Sequence, residues 1–102
     1  MEIPHDPPHI LSPKVHWERA RGYFQLHMYS EAESELVAIP DENPWTKKKR
    51  TLSMRIRQEV EDWHEMMEIA RGLRLEYPEE EEFWVCDAYA TRRADSVSYT
   101  HL

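Results

Sequence analysis

At 102 residues the chain is one domain at most, and its formal net charge of −7 argues against nucleic acid as the main partner, since phosphate contacts need a basic footprint. The lone Cys86 cannot form an internal disulfide, no stretch approaches the roughly 20 apolar residues of a membrane span, and Met1-Glu2-Ile3-Pro4 opens no secretory signal. A soluble, cytoplasmic protein is expected. With 40% hydrophobic and 32% charged residues and only two glycines, long helices are favoured over hairpin-rich sheets, whose turns need residues that tolerate positive φ.

Residues 1–11 carry Pro4, Pro7 and Pro8 without a helical period and read as a disordered, extended leader. Ser12-Pro13 then offers an N-cap acceptor and a ring that pre-sets φ, which predicts a helix from Pro13 to about His27. A second helix is predicted from Ser30 to Ile39, stopped by Pro40. Asn43-Pro44 repeats the cap-then-proline signal and opens a third, to about Glu59. A fourth runs from Asp62 to Glu76. Pro78 and the carboxylates of Glu79 to Glu82 open a fifth, to about Arg93, because negative charge favours a helix N-terminus. A sixth would begin near Ala94 or Asp95. Short links make successive helices antiparallel neighbours. The apolar stripes are Ala20, Tyr23 and His27 on the first helix, Leu52, Ile56, Val60 and Trp63 from the third onward, and Trp63, Met66, Met67, Ala70 and Leu73 on the fourth.

Informative residues recur 34 positions apart: Tyr29 with Trp63, Ala32 with Met66, Leu36 with Ala70, Ile39 with Leu73, Pro44 with Pro78, and Ala20, Met54 and Ala88 in one column. A fixed period of this size marks stacked supersecondary units that cannot bury their apolar faces alone. The run Ala20-x2-Tyr23-x5-Tyr29-x2-Ala32-x3-Leu36-x2-Ile39 resembles the tetratricopeptide repeat. The resemblance covers about Ser12 to Ser96. It implies an all-α, right-handed stack of antiparallel helical hairpins, an α-solenoid of about two and a half repeats. The sequence departs from that family in having Arg19, Ser53 and Asp87 where a leucine is usual, and in lacking the glycine between the paired helices, near His27 and Glu61. Val97-Ser98-Tyr99-Thr100-His101-Leu102 resembles a translated sequencing adapter, which implies a non-native tail on a truncated fragment with further repeats beyond Ser96. Such a fragment, with an uncovered last face, is expected to be marginally stable or to associate.

The same resemblance implies that the first helix of each repeat lines a concave groove for a peptide. Carried over residue by residue, the groove would present Lys14, Trp17, Arg21, Phe24 and Gln25, then Lys48, Thr51, Arg55, Gln58 and Glu59, then Glu82, Val85, Tyr89, Arg92 and Arg93. The candidate binding set is Lys14, Trp17, Arg21, Phe24, Lys48, Arg55, Tyr89 and Arg92. Cations gathered on one surface favour an acidic or C-terminal peptide segment, with Trp17 and Phe24 as apolar anchors. Against this stands the ordinary alternative, solvated helix faces paired with nearby glutamates. The expected role is a protein–protein interaction scaffold, not an enzyme, with a protein or peptide partner and with no cofactor, metal, nucleic acid or membrane. The alternatives are a self-associating structural repeat protein and the regulatory repeat region of a longer enzyme.

Other motifs carry less. Lys47-Lys48-Lys49-Arg50 is a short basic run within a helix and reads as a solvated face. His5 and His9 have metal-ligand spacing, but Asp6-Pro7-Pro8 between them excludes a helix. Cys86 with His64 as base lacks a nucleophile turn, so a packed thiol is expected. Glu79 to Glu82 read as a helix-start cluster, and Trp45, Trp63 and Trp84 as locks within the hairpins, Trp17 being the one expected to meet a ligand.

Overall fold

The computed structural model describes the backbone of residues 11–99 and the side chains of residues 11–96. Residues 1–10 of the expected leader (1–11) and the last three residues of the adapter-like tail therefore lie outside the described residues. Five helices follow one another: α1 (Pro13–Gln25), α2 (Tyr29–Val37), α3 (Trp45–Glu59), α4 (Trp63–Glu76) and α5 (Glu81–Tyr99). No strand occurs among the described residues. The chain divides into two compact units, Met1–Pro40 and Asp41–Leu102.

In the first unit α1 and α2 form a hairpin. Ser12 caps α1 through a 3.3 Å bond from the Val15 N–H to its hydroxyl, with Pro13 in the first turn, as the sequence predicts. Ala20, Ala32, Leu36 and Ile39 are buried and Tyr23 is half-buried. His16 Nδ1 lies 2.7 Å from Oε1 of Glu35, and Nε of Arg19 lies 3.2 Å from its other oxygen. Arg19, standing where the repeat pattern has leucine, is thus ion-paired to the facing helix.

In the second unit α3 and α5 both pack on α4, which gives a row of sequential antiparallel contacts. The stripe Trp63, Met66, Ala70 and Leu73 is buried on α4 and meets Phe83, Ala90 and Ala94 of α5 and Met54 of α3. Asp62 caps α4 by accepting the Glu65 N–H at 3.3 Å. Asn43 does not cap α3: the helix starts at Trp45, with Pro44 at the N-cap position and no side-chain cap bond.

The two hairpin turns share one geometry. His27 (φ 63°) and Glu61 (φ 60°) are left-handed, 34 residues apart, at the place where the repeat pattern has glycine. In the first turn Met28 N–H donates to Tyr23 O (2.9 Å) and His27 N–H to Phe24 O (3.0 Å); in the second, Asp62 donates to Arg57 O (2.8 Å) and Glu61 to Gln58 O (3.1 Å). These are paired Schellman closures, which satisfy helix-end carbonyls at the cost of one left-handed residue each. His27 is consequently exposed at the turn and does not extend the Ala20–Tyr23 stripe.

The periodicity fails in the third copy. A turn near Asp95 and a sixth helix are expected there, but α5 continues unbroken to Tyr99. Phe83, Asp87, Ala90 and Ala94 keep one helical phase against α4, so packing holds the helix up to the expected break. Ala88, expected at a close crossing, is exposed, and its neighbour Asp87 is buried at 6% exposure. The physical reason is charge: Asp87 turns inward to meet Arg71 and Arg74 of α4. Val60, expected in the apolar stripe of α3, is 45% exposed at the helix end.

Two backbone substitutions test this account. Glu61→Gly relieves the left-handed strain and is expected to stabilise the second unit by about 1 kcal/mol in urea unfolding. Gly22 lies inside α1, and a Cβ there would meet nothing within 4 Å. Gly22→Ala is therefore expected to stabilise by about 0.5–1 kcal/mol, and a loss of stability would contradict the open space.

Candidate functional site

The eight candidate groove residues divide equally between the two units. Lys14 and Arg21 are exposed on α1, while Trp17 and Phe24 are half-buried there. Phe24 stands edge-on to Tyr29, with ring centroids 5.7 Å apart, so part of its surface is already used within the hairpin. Lys48 and Arg55 lie on α3 and Tyr89 and Arg92 on α5.

Within the second unit the structure brings Arg55 and Tyr89 together and sends Arg92 elsewhere. Because α3 and α5 pack on α4 rather than on each other, an open cleft of about 590 Å³ remains between them. Arg55 and Gln58 of α3 form one wall, and Glu81, Glu82, Val85, Cys86 and Tyr89 of α5 the other, over the buried Met66 of α4. Val85 is 64% exposed and Tyr89 38%, large apolar surface for a soluble helix to leave facing a cleft. Tyr89 is fixed edge-on against Trp63 at 5.6 Å, and the Arg93 guanidinium covers the Trp63 ring at 4.6 Å. Gln58, Glu82 and Val85, which the repeat register also places on the groove, line this cleft; Lys48 does not.

Two ion pairs reach from α3 to the chain around the start of α5, Lys47 to Glu80 and Arg55 to Glu82, the second between residues that line the cleft. The Lys47 ammonium also lies 4.7 Å from the Tyr77 ring centroid. Lys49 pairs with Asp41 at 2.9 Å and Arg50 with Glu76 at 2.6 Å. Lys47, Lys49 and Arg50 of the basic run are thus ion-paired helix positions, and Glu80 and Glu82 are the partners of cations on α3. The expected concentration of unpaired positive charge is absent from this cleft. Among the described residues, Lys14, Arg21 and Arg92 are the candidate cations that enter no ion pair.

Arg92 lines a second depression of about 500 Å³ with Arg71, Arg74, Trp84, Asp87, Thr91 and Asp95. Asp87 Oδ1 accepts from Arg71 Nη2 at 3.3 Å and from the Thr91 hydroxyl at 3.1 Å. Nε of Arg74 lies 3.1 Å from Oδ2, a charge contact in which its N–H is turned out of hydrogen-bond alignment. The Arg74 guanidinium stacks on Trp84 at 4.5 Å, and the indole N–H donates to Pro78 O at 3.0 Å. Sequence reasoning noted Asp87 only as a departure from the repeat pattern; its partners, Arg74 and Arg71, stand 13 and 16 residues back on another helix, where no local signal joins them to it.

Cys86 packs against the core at the cleft wall, and burial pushes its thiol above the ordinary 9.0, offset in part by Arg55 and reinforced by Glu82. The thiol therefore stays protonated near neutrality. His64, the proposed base, is exposed on α4, and no hydrogen bond joins it to Cys86 among the described residues. His5 and His9 lie outside the described residues; within them no group of three or more His, Cys, Asp or Glu is placed to hold a metal. No described helix is long and apolar enough to cross a membrane.

Two measurements follow from this geometry. Iodoacetamide is expected to label Cys86 of the folded chain more slowly than the urea-unfolded chain at pH 7–8. The folded state holds the thiol proton more tightly, so the stability gained is complete below the unfolded value near 9.0 and declines as pH rises through the higher folded value. Asp87→Ala strips the carboxylate from Arg71 and Arg74 and is expected to cost about 2 kcal/mol in urea unfolding, whereas Ala88→Ser, on the exposed side, is expected to be near neutral. No family model matches the chain, and comparison with curated proteins and with solved structures finds no significant match.

Proposed function

We propose that the chain is a protein-recognition module of tetratricopeptide-like hairpins that takes a peptide segment of a partner between its helices. The observation that carries this reading is the α3–α5 cleft: it is open, lined by exposed Val85 and Tyr89, and walled by helices already packed on α4. A preformed cleft leaves most of the ordering cost to the partner. The matching left-handed turns at His27 and Glu61 support the repeat reading, and the right-handed solenoid extends it as a proposal. No catalytic, cofactor, nucleic-acid or membrane role is proposed.

The second reading, self-association as a structural repeat protein, draws on the exposure of Trp84 (47%), Val85 and Tyr89. A regulatory region of a longer enzyme is a third reading, compatible with the same cleft. Selection from a random peptide library displayed against the full chain separates the first two when combined with light scattering. Recognition predicts a monomer that enriches a common motif, with enrichment abolished by Val85→Asp. A dimer dissociated by Val85→Asp, without enrichment by the monomer, would favour self-association. The acidic preference read from the sequence, the opposite of the preference inferred below, requires Arg21→Glu and Arg55→Glu to weaken acidic peptides; unchanged affinity would reject it.

A further inference from the structure

Within the recognition reading, on which this inference rests, we infer that the α3–α5 cleft selects an apolar segment that carries a basic residue at one end. The floor and far wall supply Met66, Val85, Cys86 and Tyr89, with the thiol neutral, so the centre of the cleft offers apolar surface and no free charge. The charged groups lie at the rim. Arg55, the cation among the residues lining the cleft, is already held by Glu82. Glu81, one residue earlier on α5, is exposed and enters no ion pair among the described residues. Glu82 can also share its carboxylate with a second cation, since it accepts through more than one lone pair. The α5 N-terminal end of the cleft is therefore anionic.

The other end differs. Tyr89 closes it, and the Arg93 guanidinium lies 5.8 Å from the Tyr89 ring centroid, so positive charge is already present there. A lysine or arginine is attracted at the Glu81 end and opposed at the Tyr89 end, and this asymmetry fixes the direction in which a segment lies. The sequence argument pointed to acidic peptides from cations along α1, α3 and α5, against the alternative that they pair with nearby glutamates; Arg55 is paired in that way, with Glu82. Charge complementarity at this cleft runs the opposite way.

Three synthetic pentapeptides test it: Lys-Leu-Val-Leu-Gly, and the same sequence with Glu or Ser in place of Lys, acetylated and amidated. Each is titrated into the isotope-labelled full chain, with the methyl signals of Met66 and Val85 as readout. The lysine peptide is expected to bind about fivefold more tightly than the serine peptide, and the glutamate peptide more weakly than the lysine peptide. Glu81→Gln should remove the preference and Glu81→Lys reverse it, while Glu68→Lys, the same charge change at an exposed position on α4 outside the cleft lining, should leave it intact. Equal or tighter binding of the glutamate peptide at Met66 and Val85 overturns the inference and leaves cleft recognition standing. No methyl shift with any of the three overturns both. Shifts that appear on concentrating the chain alone, without peptide, assign the cleft to a second copy and also overturn the inference.

Discussion

The carboxylate of Asp87, drawn inward between Arg71 and Arg74, sets the rotation of α5 about its own axis. Successive residues on a helix are separated by about 100°, so turning Asp87 rather than Ala88 toward α4 moves every other side chain of α5 by the same angle. Phe83, Ala90 and Ala94 then fall into the core, Val85 and Tyr89 face α3, and Arg92 is carried to the other side. An alanine-inward packing, as the 34-residue column implies, would line the space beside α3 with a different set of residues. One ion-paired carboxylate thus decides what the cleft presents. Because Arg71 remains half-exposed, its charge keeps contact with water, which lowers the desolvation penalty of burying the carboxylate.

Much of the fold is legible in the sequence for simple reasons. The helix starts at Ser12-Pro13 and Asp62 depend on groups within one turn, and the stripe from Trp63 to Leu73 repeats at helical spacing. The missing glycines, read as departures, mark the two left-handed turns; the family pattern locates the positions even though His27 and Glu61 fill them. What the sequence conceals is nonlocal. No local signal distinguishes Asp87 on the surface from Asp87 between two arginines of the preceding helix. The same blindness extended the repeat schedule to a break at Asp95, where α5 continues to Tyr99. Asn43 is the converse case, a strong local cap signal that the chain does not use.

For the candidate cleft the sequence carries position but not pairing. The register assigns Arg55, Gln58, Glu82, Val85 and Tyr89 to one surface, and they do line one cleft. It gives no account of which cations are already neutralised, because ion pairing joins residues more than twenty positions apart, such as Arg50 with Glu76 and Arg55 with Glu82. A count of basic residues along three helices therefore overstates the field that an approaching ligand meets, since paired opposite charges cancel beyond about a Debye length.

The bridge from Arg55 to Glu82 at the start of α5 gives the cleft an uneven mechanical character. Its floor is set by close-packed hydrocarbon, whose spacing resists change. Its mouth is spanned by long, partly hydrated side chains whose attraction fades as dissolved ions accumulate. Width at the lip is consequently an adjustable quantity, responsive to the electrolyte around the molecule, whereas depth is a fixed one.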